Sequence, residues 1–345
     1  MGNKKTSSDW KNIARVTLKK HSSVVVLLAI VILASCISDV FLTTNNILNV
    51  LRQITANGIL SIGLLMVIMT GGMDISIGSL VGVTSVFFVA FYFPDKAEGP
   101  FQGFFTVLNK ILPSGAAGMV MVLIILLIIG ALLGFINGIV ICKANVQPFI
   151  MTIGTLTLYR GIALLASNGK PIYMDEERAN MVSFIGSGSV LGGIPTQLLV
   201  LILVAVIVAF LLNKTIYGRY VRAIGGNEEA ARVAGINVDR YKVVSYMLCS
   251  MMAVIAGFVL TSRTTTGDPT LGNSFEMNAI ASCVIGGASL NGGVGTVFGT
   301  IIGAVIIGII NNILNLANIS TYYQYVVRGG IIILAVIFNS KKKRK

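Results

Sequence analysis

Asp74 has the clearest capacity for chemistry in this sequence, because its carboxyl group lies beside an apolar segment. A charge in such a place costs several kcal/mol unless it reaches water or a partner, so an ionisable residue like Asp74 is a functional candidate by default. Two roles are open. Asp74 could be a gate residue that pairs with an arginine such as Arg160 or Arg328. It could instead be an anion that caps the following helix, with Ser76 assisting at the helix N-terminus.

Further polar groups fall within apolar stretches. Arg160 and Arg328 each precede a glycine, and their long side chains could reach the membrane interface or pair internally; we expect a structural role for both. Five amides could bond neighbouring helices or hydrogen-bond a polar solute, and residue type alone does not decide between these uses. They are Asn57, Asn137, Asn278, Asn311 and Asn312.

Enzyme chemistry finds little support in the sequence. There is no GxxxxGK[ST] phosphate loop, no GxSxG elbow and no HExxH helix. Cys36, Cys142, Cys249 and Cys283 form no CxxC pair, and His21 is the only histidine. Neither a disulfide framework nor a metal site is indicated. We therefore predict no catalytic residue, no bound metal and no bound cofactor.

Two glycine-rich segments interrupt the apolar sequence with similar spacing. Residues 70–79 read TGGMDISIGS, and residues 286–293 read GGASLNGG. Paired glycines release the backbone from a helix, which at membrane depth is tolerated only inside protein or along a cavity. Interrupted helices in corresponding places are typical of transport pathways, whereas two turns at the cytoplasmic surface are the alternative. The candidate pathway residues are Gly71, Gly72, Asp74, Ser76, Asn137, Asn278, Gly286, Gly287 and Asn311.

The elements that must position these residues are membrane-spanning helices. Apolar residues make up 55% of the chain and charged residues 11%, with a mean hydropathy of +0.86. A soluble fold could not hide so much apolar side chain, and the basic clusters lack the interleaved aromatic residues of a nucleic-acid binder. The sequence predicts an all-α polytopic membrane protein. The predicted spans are 24–42, 50–70, 79–93, 119–141, 148–167, 198–213, 243–261, 277–291, 294–312 and 325–339.

Two further glycine patterns predict how these spans pack. Glycine at every fourth position forms a flat helix face that lets another backbone approach closely. Tight helix packing is the expected role of both stripes. They are Gly130, Gly134 and Gly138, and Gly295, Gly299 and Gly303.

The net charge of +13 is informative through its distribution. Basic residues cluster in the segment 1–22, in a central polar loop at 214–242 and in the tail 341–345. With ten spans and both termini in the cytoplasm, eighteen basic residues fall on the cytoplasmic side and five outside, as the positive-inside rule requires. The predicted organisation is a cytoplasmic basic segment, a membrane domain over 23–340 with an outer loop at 168–197, and a cytoplasmic tail.

The central loop contains a short predicted helix. Asn227 is a suitable N-cap, and Gly235 is a suitable residue just past the helix end. Glu228 and Glu229 occupy the first turn, where the helix dipole favours anions. A helix too short to span a membrane, lying along its cytoplasmic face, could fit a groove of a partner protein. A plain connecting helix is the alternative.

The pattern GGNExAAxxxGI at residues 225–236 resembles the coupling motif of bacterial ATP-binding-cassette importer permeases of the monosaccharide (ribose, xylose, galactose) branch. Residues 70–79 resemble that branch's TGGxDLSVGS signature, with Met73 and two isoleucines as mild departures. Residues 145–164 and 286–299 also match, so the similarity extends from about 45 to 340.

The resemblance implies a type II ABC importer permease fold, with about ten transmembrane helices and short interrupted helices, in the bacterial inner membrane. It implies a homodimer, cytoplasmic ATPase subunits that hold ATP and Mg, and an extracytoplasmic sugar-binding protein, with no nucleic-acid partner. Ribose is the first expectation for the sugar, and galactose, xylose or an autoinducer-type sugar are the alternatives within the family. A stand-alone secondary transporter or channel for a small polar solute is the alternative outside it. The residues implied in coupling to the ATPase are Gly225, Gly226, Asn227, Glu228, Glu229, Ala230, Ala231 and Gly235.

Overall fold

The computed structural model describes residues 22–113, 115–190 and 193–341, and helices occupy most of these residues. The predicted all-α class is confirmed. Two short antiparallel pairs join β1 (Ile172–Tyr173) to β4 (Thr266–Gly267), and β2 (Ser189–Val190) to β3 (Ile194–Pro195). The helices, apart from one 3-10 turn at Pro94–Lys96, are α1 (Ser22–Ile37), α2 (Thr44–Met69), α3 (Ile77–Tyr92), α4 (Gln102–Asn109), α5 (Gly115–Lys143), α6 (Pro148–Ala166), α7 (Glu176–Ser187), α8 (Thr196–Lys214), α9 (Ile216–Gly226), α10 (Glu228–Val233), α11 (Val238–Thr264), α12 (Phe275–Ile285), α13 (Val297–Leu316) and α14 (Thr321–Lys341).

Each predicted span coincides with a helix, although the helices differ in length. Among the described residues, six helices are long and apolar enough to cross a membrane, namely α2, α5, α6, α8, α11 and α13. Helices α1, α3 and α12 are apolar but shorter, with 16, 16 and 11 residues. A straight crossing takes about 20 residues, so a count of ten spans is approximate. Most of the predicted basic N-terminal segment and tail, at 1–21 and 342–345, lies outside the described residues.

The predicted span 277–291 is too long at its C-terminal end. Helix α12 ends at Ile285, and Gly287 then adopts a left-handed φ of +92°. Its amide donates to Val284 O over 3.0 Å, while the Ala288 amide donates to Cys283 O over 2.9 Å. Glycine ends helices in this way because it has no Cβ to clash in the left-handed region, and the apolar residues beyond it do not restore the helix.

The first two spans are also divided differently from the prediction. Helix α1 ends at Ile37 instead of 42, and α2 begins at Thr44 instead of 50. Thr43 caps α2 by accepting a hydrogen bond from the Asn46 amide over 3.4 Å. A threonine cap supplies an acceptor that the first turn of a helix lacks, so residues 44–49, four of which are polar, become helical.

The core is built around α2, α3 and α11. Every residue of α3 is buried, and most of α2 from Ile54 onward is buried as well. Helix α11 packs along α2, α3 and α5. By contrast, α5, α6 and α8 carry many exposed leucine, isoleucine and valine side chains, as expected of helices at the perimeter of a membrane protein.

Residues 265–274, between α11 and α12, fold back along α3. Ser85 Oγ donates to Thr266 O over 3.2 Å, and a Cβ on Gly78 would lie 2.8 Å from Gly272 O. Because later residues of the segment meet earlier residues of α3, the two run antiparallel. The short helix α12 therefore begins inside the bundle, beside the first turn of α3, and both follow a non-helical segment.

The two long polar loops, 168–197 and 214–242, lie at opposite ends of the helix bundle. At the end that carries α10, Lys143 pairs with Asp239 at 3.5 Å. At the other end, Lys170 pairs with Glu98 at 3.3 Å, and β1 of the loop 168–197 pairs with β4, which follows α11. We call these the α10 end and the opposite end.

Candidate docking helix and translocation segments

The short helix predicted in the central loop is confirmed as α10. Asn227 Oδ1 accepts a hydrogen bond from the Ala230 amide over 2.9 Å, which is the expected N-cap geometry. Gly235 lies just past the helix end with a φ of +81°. These local interactions start and stop the helix at the positions that the residue types indicate.

Two kinds of contact hold α10 against the rest of the chain. Ala231 is buried and packs with Ile224 of α9 and Val238 of α11. Arg232 donates to Asp239 over 3.0 Å and to Glu228 over 3.3 Å. The hydrogen bond that Arg232 donates to Asp239, together with the charges of the Asp239 and Glu228 carboxylates, raises the pKa of the Arg232 guanidinium, which therefore stays protonated at physiological pH.

The outward face of α10 is exposed and partly apolar. Glu229, Ala230 and Val233 are all solvent-accessible, and Val233 has 86% of its surface exposed. Val233 is therefore available for contact with a partner. Sequence reasoning missed Val233, although a valine among the alanines of a six-residue helix was a signal that could have drawn attention to it.

Gly225, also assigned to coupling, is not exposed as Glu229 and Ala230 are. It lies at the end of α9 and faces inward, where a Cβ would overlap the carbonyl oxygen of Met69 and the amide of Gly293. Gly226, the next residue, has nothing within 4 Å of its Cβ position. Gly225 therefore lies against the two interrupted segments and not on the exposed face of α10.

The first interrupted segment holds Asp74 in a buried hydrogen-bonded cluster. Asp74 is 0% exposed, and its Oδ1 accepts from the Ser76 amide over 2.9 Å and from Ser76 Oγ over 2.6 Å. Asn137 of α5 donates to Ser76 Oγ over 3.2 Å. Tyr246 of α11 donates to Met73 O over 3.2 Å, which ties the same segment to the core. Three candidate pathway residues thus meet here, and the geometry of Asp74 is that of a local turn preceding α3.

Neither arginine considered as a partner of Asp74 is bonded to it. Arg160 of α6 donates to the carbonyl oxygens of Pro269 and Leu271, the latter over 3.2 Å, and to Gly78 O of α3 over 3.4 Å, and so holds the segment 265–274 against α3. Arg328 donates through Nε to Asn311 Oδ1 over 2.9 Å. Both arginines have the structural role that was expected of them, and the ion pair considered for Asp74 is not formed.

Gly71 and Gly72 belong to the same segment as Asp74, whereas three other candidate pathway residues belong to α12, its C-terminal end and α13. Asn278 and Asn311 are both nearly buried, and the carbonyl of Asn278 accepts from Ser282 Oγ over 2.7 Å. Gly286 ends α12 in close contact with the backbone of Gly299, at the start of α13. The second glycine stripe therefore joins α12 to α13, as its spacing predicts. Among the described residues, no group of three or more His, Cys, Asp and Glu side chains could hold a metal ion.

The fold is that of a polytopic α-helical membrane protein, and sequence comparison identifies its class as a permease. Residues 46–336 match the family described as branched-chain amino acid transport system / permease component, and the chain belongs to this family. It is similar to the ribose import permease proteins of Escherichia coli (strain K12), with 35% identity over 98% of this chain and 99% of the relative, and of Bacillus subtilis (strain 168), with 40% identity over 92% and 91%. It is also similar to the xylose transport system permease protein of Escherichia coli (strain K12), with 30% identity over 99% and 96%. No solved structure matches this chain.

Proposed function

We propose that this chain is the permease subunit of an ATP-driven importer of a monosaccharide, with ribose the first candidate. The names of the similar permeases support the sugar class, since those proteins are described as ribose import or xylose transport permeases. In this proposal two copies of the chain form the pathway and ATPase subunits dock at the α10 end. Those subunits hold ATP and Mg. A sugar-binding protein delivers sugar at the opposite end. The termini and loop 214–242 are cytoplasmic, and loop 168–197 is outside.

The exposed helix α10 is the observation that carries the proposal. It is held by the buried side chain of Ala231 and by the ion pair of Arg232 with Asp239, and it offers Glu229 and Val233 on its outer side. A rigid, exposed, amphipathic helix at a membrane protein's polar end is suited to insertion into a groove of another protein.

Charge reversal at Glu229 tests the docking role. Glu229→Lys should abolish co-purification of the partner ATPase with the permease, because it places the wrong charge in the proposed interface. Glu176→Lys is the matched control, since Glu176 is also exposed in the first turn of a helix, α7, but at the opposite end. The control should retain the ATPase. Retention by both variants would contradict the assignment of α10.

Reconstitution separates the proposal from a transporter that works alone. Purified permease in proteoliposomes should take up no sugar until the ATPase, the binding protein and ATP are supplied. Uptake by the permease alone would instead show a secondary transporter or channel.

Competition identifies the sugar. In the complete system, unlabelled ribose should suppress uptake of labelled ribose at lower concentration than xylose or galactose does. Stronger suppression by xylose or galactose would move the assignment to that sugar while leaving the importer class intact.

A further inference from the structure

Three stretches of backbone, far apart in sequence, meet at the α10 end of the bundle. They are the end of α2 at Met69–Gly71, the end of α9 at Gly225, and the turn Gly292–Gly293 before α13. The Gly293 amide donates a hydrogen bond to Met69 O over 3.0 Å. We call Met69, Gly71, Gly225, Gly292 and Gly293 the glycine junction.

The junction is too close-packed for any side chain at its centre. A Cβ on Gly292 would lie 2.7 Å from Gly225 Cα and 2.8 Å from the Gly71 amide nitrogen. A Cβ on Gly225 would overlap Met69 O and the Gly293 amide and lie 2.9 Å from the Gly292 carbonyl carbon. Backbones in such contact cannot slide past one another without opening, because no flexible side chain separates them.

On one side, the junction is joined rigidly to α10. Only Gly226 and the N-cap Asn227 separate Gly225 from this helix, and the Asn227 amide donates to Ala223 O over 3.0 Å. Ile224 of α9 packs on Ala231 of α10. A displacement of α10 must therefore displace Gly225.

On the other side, the junction leads into both interrupted segments. Met69 is the last residue of α2, directly before the segment 70–76 that holds Asp74. Gly292 and Gly293 lie between α12 and α13. Both interrupted segments, 70–76 and the residues between α12 and α13, therefore contact the glycine junction, which lies next to α10.

We propose that Gly225 is a positioning residue that couples α10 to the pathway, by holding the end of α9 in direct backbone contact with Met69 and Gly292–Gly293. The inference rests on the proposed docking of an ATPase at α10. When the ATPase moves α10, the glycine junction moves as one body and carries both interrupted segments with it. Coupling between binding sites is reciprocal. A conformational change caused by sugar delivery at the opposite end is therefore transmitted to the ATPase through the same backbone contact.

Gly225→Ala tests this role, with Gly154→Ala in α6 as the control, because a Cβ on that helical glycine also enters open space and lies outside the coupling residues. In the reconstituted complex, Gly225→Ala should retain the bound ATPase and its basal ATP hydrolysis. Uptake, and stimulation of hydrolysis by the sugar-loaded binding protein, should each fall by about tenfold, a size typical of coupling between sites. Gly154→Ala should match the wild type in all four measurements.

Two outcomes would overturn the inference. Wild-type uptake by Gly225→Ala would show that the close contact is not needed. Loss of the ATPase from Gly225→Ala would make Gly225 part of the docking surface instead. If the wild-type complex itself showed no ATP-dependent uptake, the proposed function would fail and not this inference.

A cross-link gives an independent test should Gly225→Ala fail to fold. Cysteines at Gly226 and Asn291, in a chain without its four native cysteines, flank the junction and can be joined by a short bifunctional maleimide. Because the junction moves as one body, cross-linked protein should take up sugar at the rate of the unlinked protein. Failure to cross-link, or abolition of uptake by the cross-link, would show that the segments part during transport and would refute the proposal.

Discussion

The carboxylate of Asp74 accepts its hydrogen bonds from a residue of the same segment, Ser76. Its Oδ1 accepts two hydrogen bonds from Ser76, while within the described residues its Oδ2 has no hydrogen-bond partner. The bonds that are made need an oxygen acceptor and do not need a charge. Removing a buried acceptor leaves donors unsatisfied, which costs about 1–3 kcal/mol.

Substitution at Asp74 should therefore separate the acceptor from the charge. Asp74→Asn keeps Oδ1, so its thermal unfolding temperature in detergent should stay close to that of the wild type. Asp74→Ala should be destabilised by about 1–3 kcal/mol, because the Ser76 donors lose their acceptor. Equal loss of stability in both variants would show that the negative charge is what the site requires.

At the scale of elements, α5 and α11 pack through the glycine stripe of α5. A Cβ on Gly130 would lie 2.6 Å from Val254 Cγ2, and one on Gly134 would lie 2.8 Å from Met247 Cα. Where an obstacle is backbone, it cannot rotate away, so the helices would have to separate. Close approach of this kind supplies much of the association energy between membrane helices, since lipid offers no hydrophobic force to drive it.

Gly134→Ala should destabilise the protein, although alanine is the better helix former by about 1 kcal/mol. Overpacking typically costs about 1–3 kcal/mol, which outweighs that gain. Gly154→Ala in α6 is the matched control, because nothing lies within 4 Å of its Cβ position, and its stability should be unchanged or slightly higher. Thermal unfolding of the two variants compares them directly. A stable Gly134→Ala would mean that α5 and α11 are less closely packed than described.

At the scale of the whole molecule, the bundle has one polar loop region at each end. The α10 end carries Lys143, Arg232 and Lys242 in ion pairs with Asp239 and Glu228. The opposite end carries the loop 168–197. Since basic residues flanking spans are retained in the cytoplasm, the α10 end is predicted to be the cytoplasmic one.

Thiol labelling in intact cells tests this orientation. Single cysteines at Ser187 and Ala234, both exposed positions at opposite ends, are placed in a chain without its native cysteines. A membrane-impermeant maleimide should label position 187 in intact cells and position 234 only after lysis. Labelling of position 234 from outside would reverse the topology.

The sequence alone determined the features that depend on near neighbours and on hydropathy. The spans follow from long apolar runs, because burying backbone in lipid requires helices. Helix α10 follows from Asn227 and Gly235, because a cap and a left-handed glycine act within one turn. The permease family likewise followed from short local motifs at 70–79 and 225–236.

Only the tertiary structure decided which of these features meet. The inward position of Gly225, the outward position of Val233 and the engagement of Arg160 with Pro269 rather than Asp74 all depend on contacts between distant segments. A residue type states what a side chain can bond, but its partner is selected by the packing of whole helices, where steric fit at close range leaves one arrangement. Glycine shows this most plainly. Gly225 and Gly226 are identical neighbours in the sequence, yet one lies in backbone contact with two other segments and the other faces open space.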